Sequence, residues 1–106
     1  MRNAGLVLAL NLVAAFPAMA ASPAPEHECY SAAQTRERVA AHKLQAPFRL
    51  MTSAAARFQA EAIGAKLCRW KEAFVYEITL LRRDGRVIHV FMNAGTGQMI
   101  GAKNAK

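Results

Sequence analysis

At Gly64 the spacing of apolar residues changes from four to two, and that change sets the order of helix and sheet along the chain. Before it, Leu50, Ala54, Phe58 and Ala62 recur at four-residue intervals, with Met51 and Ala55 alongside. Such a stripe predicts one amphipathic helix, from about Phe48 or Leu50 to Ile63. Gly64 then suits a left-handed helix cap, because a residue without Cβ enters that region at no steric cost. After it, residues 66–71 read as a first strand. Residues 74–82 form a clearer one, with Phe74, Tyr76, Ile78 and Leu80 on one face and Val75, Glu77, Thr79 and Leu81 on the other. Asp84-Gly85 is a strong hairpin signal, since both types tolerate positive φ. Residues 86–92 return, 93–97 turn again and 98–102 close the sheet. A further helix is predicted from Ser31, where Ser31 and Gln34 fit a capping box. Val39 and Ala40 face inward on it, and it fades near 42–44, ahead of Pro47. The expected architecture is α+β, with N-terminal helices packed on one face of a three- to four-stranded antiparallel meander.

The first twenty residues are expected to leave the chain. Arg2 precedes an apolar run over 4–16 broken only by Asn11, and Pro17 and Ala18-Met19-Ala20 follow. Charge, apolar stretch and small-x-small ending together describe a signal peptide, with the cut between Ala20 and Ala21. A membrane-spanning helix needs about 20 apolar residues, more than this run offers. No later segment is apolar enough to span, so no transmembrane segment is expected after processing. Cys29 lies behind Glu26-His27-Glu28 rather than at the cut, which argues against a lipid anchor. Pro23 and Pro25 mark 21–28 as a flexible leader, and 29–106 as a single domain. The expected location is periplasmic or secreted.

Export bears on charge and on cysteine. The chain has 14 Lys and Arg against 7 Asp and Glu, a net charge of +7, of which Arg2 leaves with the signal peptide. So basic a domain suits acidic partners, and outside the cytoplasm these are anionic lipid, envelope polymer or acidic protein rather than nucleic acid. Two cysteines in a small exported domain read as a disulfide, Cys29–Cys68. Closing so long a loop stabilises a fold by about 4 kcal/mol on the chain-entropy model.

The remaining motifs are weighed against simpler readings. Glu26, His27, Glu28 and Cys29 are consecutive and cannot all converge on one metal ion. Gly95-Thr96-Gly97 is followed by a strand rather than the helix N-terminus a phosphate loop requires, so it is read as a turn. His27, His42 and His89 are scattered, and no nucleophile, base and orienting group can be assembled; a non-enzymatic protein without cofactor or metal is expected. Arg82, Arg83 and Arg86 crowd the hairpin, with Arg69 and Lys71 taken to lie nearby. They are either a solvated turn or a contact patch for an acidic partner. Trp70, Phe74 and Tyr76 bracket the first hairpin and are expected in the core, or on a binding surface if one sheet face stays uncovered.

The stretch from about Ala54 to Lys103 resembles a PepSY domain. The resemblance rests on a helix leading through Gly64 into Lys66-Leu67-Cys68-Arg69-Trp70, then Phe74-Val75-Tyr76-Glu77-Ile78, the Asp84-Gly85 turn and Val87-Ile88-His89-Val90-Phe91. The ending Asn93-Ala94-Gly95-Thr96-Gly97-Gln98-Met99-Ile100 is similar to the family's D-A-x-T-G-x-hydrophobic signature, with Asn93 in place of aspartate. The resemblance implies a PepSY-like core over 54–103 and a non-catalytic interaction module that modulates or inhibits an envelope peptidase. The alternative is a basic protein that binds anionic lipid or envelope polymer through its arginines.

Overall fold

The structure, a computed structural model, describes residues 27–104. The expected signal peptide, its cut at Ala20 and Ala21, and leader residues 21–26 lie outside the described residues. The elements run β1 (His27–Cys29), α1 (Ala32–His42), α2 (Pro47–Phe58), β2 (Ala60–Trp70), β3 (Ala73–Arg82), β4 (Val87–Asn93) and β5 (Met99–Asn104). The strands form one antiparallel five-stranded sheet in the order β1-β2-β3-β4-β5.

Local chemistry explains both helices. The Ser31 hydroxyl accepts from the Gln34 amide at 3.1 Å, and the Gln34 side chain accepts from the Ser31 amide at 2.9 Å. This reciprocal box satisfies two amides that have no partner inside α1. Ser31→Ala is expected to destabilise the domain by about 1 kcal/mol in urea unfolding, with an unchanged denaturant slope. The helix ends where Lys43 turns left-handed, at φ 54°. Pro47 opens α2 as its first residue, a place where a missing N–H costs nothing.

Three expectations need correction. The second helix stops at Phe58, not Ile63, because Gln59 takes the left-handed cap at φ 51°. Gly64 therefore lies inside β2, whose pairing with β3 runs from Ala60 opposite Arg82 to Trp70 opposite Ala73. A register shift between Ala62 and Gly64 leaves Ile63 as the extra residue of a bulge, and it is exposed. Second, the sheet has five strands rather than three to four, since His27 and Glu28, read as leader, pair with Trp70 and Arg69. Third, the helices do not share the packing: α1 buries no residue, while α2 buries Leu50 and Ala54. Arg36, Glu37 and Arg38 leave α1 too little apolar surface, and Ala40 is exposed and Val39 only half-buried.

The core forms between α2 and one sheet face. Leu50 and Ala54 pack with Leu67, Tyr76, Ile78, Leu80, Ile88, Val90 and Met92. Cross-strand pairs build it: Tyr76 faces Met92, Ile78 faces Val90 and Leu80 faces Ile88. The Tyr76 hydroxyl donates to the Gln45 carbonyl at 2.7 Å, fixing the α1–α2 connection to the sheet. The Gln45 amide in turn donates to Ala94 at 2.9 Å. Ala94 sits in the last turn, where Asn93 Oδ1 accepts from the Gly95 and Thr96 amides at 2.8 and 2.9 Å, an Asx turn.

No helix of the described residues is long and apolar enough to cross a membrane. Cys29 and Cys68 stand directly opposite one another on β1 and β2 and are joined by a disulfide. A disulfide of this kind points to a non-reducing compartment.

Candidate functional site: the uncovered sheet face

Alternation along the strands splits the sheet into two unlike faces. Both helices lie on the Tyr76 side, where α2 fills the core and His42 of α1 meets the Phe74 ring at 4.7 Å. The opposite face carries Cys68 and Trp70 of β2, Val75, Glu77 and Thr79 of β3, and His89 and Phe91 of β4. No described helix covers it.

Its aromatic side chains gather at one end. The His27 ring stacks on Trp70 with centroids 4.6 Å apart and planes 5° from parallel. The Phe91 ring also meets the indole, with centroids 5.1 Å apart and planes tilted by 48°. The Lys103 ammonium lies 5.9 Å from the Phe91 centroid, within reach of a cation–π contact. On the same face Val75 and Cys68 are buried. The Trp70 Nε1–H is buried with no hydrogen-bond acceptor.

The structure divides the three aromatics that the sequence grouped. Tyr76 is in the core, and Phe74 lies on the same side against Tyr30 and His42. Trp70 alone turns to the open face, where it meets two residues not expected there. The sequence places His27 in the leader and Phe91 on the strand of His89, with no pattern joining either to Trp70. Strand parity carried part of this signal, since Trp70 shares the parity of Cys68.

The arginine hairpin has a loop one residue longer than the Asp84-Gly85 turn expected of it. Arg82 closes the turn through both its backbone groups: its N–H donates to the Arg86 carbonyl at 2.9 Å, and its carbonyl accepts from the Gly85 N–H at 2.9 Å. With Gly85 at φ 87°, this is a three-residue loop closed by a bulge rather than a two-residue turn. Asp84 sits inside it, 3.9 Å from the Arg82 guanidinium and 3.6 Å from that of Arg86. Two of the three arginines thus share a carboxylate, and among the described residues Arg83 makes no ion pair. A shallow groove of about 870 Å³ beside them is lined by Glu61 as well as Arg82 and Arg83, so its charge is mixed. Arg69 and Lys71 are not neighbours of this hairpin. They lie at the far end of the sheet, where the Arg69 guanidinium is 5.7 Å from the Phe74 centroid and Nε donates to the Lys71 carbonyl at 3.0 Å.

The histidines stay apart in three settings: His27 on Trp70, His42 on Phe74, and His89 with Nδ1 3.3 Å from the Thr79 hydroxyl. Cys29, Cys68 and Glu77 bring donor atoms within 4.8 Å of one another. The two sulfurs are bonded together, however, and provide no thiolate for a metal. Comparison with known proteins finds no matching family model, no matching curated protein and no matching solved structure.

Proposed function

We propose that this chain is a non-catalytic, exported protein-interaction module, periplasmic or secreted, that holds its partner on the open sheet face. The observation that carries this reading is the Trp70–His27–Phe91 cluster on a face no described helix covers. Large rings contribute most at interfaces when they sit on a rigid base, and the strands beneath them supply one. The PepSY resemblance names the kind of partner: an envelope peptidase whose activity the module restrains. The alternative reading, an anionic-surface binder using Arg82, Arg83 and Arg86, draws less support because Asp84 partly neutralises two of the three.

Affinity capture of envelope extract on the immobilised processed protein tests this. The wild type is expected to retain a peptidase, and Trp70→Ala and Phe91→Ala to weaken that retention at least about tenfold with the circular-dichroism spectrum unchanged. Neutralising the three arginines together is expected to leave it within about threefold, as screened rim charges do. Retention of no peptidase, or equal retention by both aromatic variants, would overturn the proposal.

A further inference from the structure

We propose that the Cys29–Cys68 bond is a redox latch on β1, regulating the aromatic face by holding His27 against Trp70. The inference rests on the docking reading for its purpose, but not for its chemistry. β1 has three residues, all exposed, and pairs only with Cys68, Arg69 and Trp70. Beyond that short ladder it is held by the disulfide, the His27–Trp70 stack and the Tyr30 amide donating to the Leu67 carbonyl at 2.9 Å. It contributes nothing to the core cluster. A strand so placed belongs to the part of a fold that opens without global unfolding.

The two cysteines differ in exposure, and this decides how the latch is released. Cys29 is exposed, whereas Cys68 has 0% of its surface accessible. A dithiol therefore attacks through one thiolate at the Cys29 sulfur, forming a mixed disulfide and expelling Cys68. The expelled Cys68 sulfur takes up the proton released by the attacking thiol. The second thiolate of the dithiol then attacks its own mixed-disulfide sulfur. Cys29 leaves and is protonated, and the dithiol departs as a cyclic disulfide. Two electrons and two protons pass from dithiol to protein. With the bond gone, β1 separates, His27 leaves the indole, and the edge of β2 at Cys68–Trp70 loses its partner strand.

Trp70 is the chain's single tryptophan, so its emission reports this change without interference. Its Nε1–H, now shut away from water, becomes hydrated when β1 leaves. Treating the processed protein with dithiothreitol, with reduction verified by intact mass, is expected to shift the emission to longer wavelength. Hydrogen exchange at the Tyr30 amide is expected to rise at least about tenfold while the Ile78 and Val90 amides stay protected. Cys29→Ser is expected to show the same pattern without reductant. Unchanged emission and unchanged Tyr30 exchange after full reduction would show that β1 holds without the bond. Simultaneous loss of protection at Ile78 and Val90 would make the bond a global staple; either result overturns the latch. Neither readout involves a partner, so failure of peptidase capture and failure of the latch are separately visible.

Discussion

Tyr76→Ala is expected to lower the unfolding free energy of the domain by about 4 kcal/mol, read from the midpoint of urea unfolding. The ring is 1% accessible and sits where β2, β3 and β4 meet the helix side, opposite Leu67 and Met92. Its removal leaves a cavity that the hydrogen-bonded strands cannot close. The hydroxyl adds a separable part: it donates to Gln45, whose own amide is committed to Ala94, so Tyr76→Phe strips a carbonyl of its donor. That variant is expected to lose about 1–2 kcal/mol. Burial also pushes the Tyr76 hydroxyl above its ordinary pKa of 10.0, because a phenolate there would be desolvated. The stability this contributes is complete below pH 10, where the unfolded tyrosine is still protonated, and is lost as the pH rises from there through the folded value. Tyr76→Phe is expected to lack that component, giving a shallower alkaline decline than the wild type.

Ile78→Ala is expected to cost about 4 kcal/mol, and Ile63→Ala less than about 0.5 kcal/mol. Ile78 has no accessible surface and faces Val90 across the middle of the sheet. Ile63 is 53% accessible and occupies the β2 bulge, where its side chain meets no core. Parallel chemical denaturation of the two variants checks this, and comparable losses would mean that the β2 bulge is packed rather than exposed.

The contrast between these isoleucines shows what the sequence can and cannot convey. Over residues 74–82 the alternation is strict and local, so both faces of β3 were readable, as were the Ser31–Gln34 box and the Asn93 turn. Residues 59–65 fit two periods at once, since Ala62 both continues the four-residue stripe of Leu50, Ala54 and Phe58 and alternates with Ala60. What decides between them is the hydrogen-bonding edge of β3, a distant partner that no local pattern encodes. β1 is the same case in a stronger form: three residues without periodicity become a strand because Cys29 meets Cys68 and His27 meets Trp70. The disulfide was legible from the cysteine count together with the export expected of the chain; the aromatic cluster it adjoins was not, because His27 had no pattern of its own. At the hairpin the relevant residue was in plain view. Asp84 stands between the arginines, and only the tightness of the loop converts that adjacency into shared ion pairs.

The order β1-β2-β3-β4-β5 also dictates a sequence of events in time. From β2 onward every strand pairs with the next one along the chain, so each hairpin can close over a short loop and the sheet grows without long searches. β1 is the exception, separated from its place on β2 by both helices. During synthesis Cys29 arrives first, yet its partner acquires a fixed position only after β2 has found β3. The chain has two cysteines, so oxidation before Cys68 emerges can join Cys29 only to a thiol of another molecule, whereas the formed sheet holds the two cysteines opposite one another, where they join fastest. The rate of disulfide formation should therefore follow the rate of hairpin formation, making the last covalent step a timer for the completed fold.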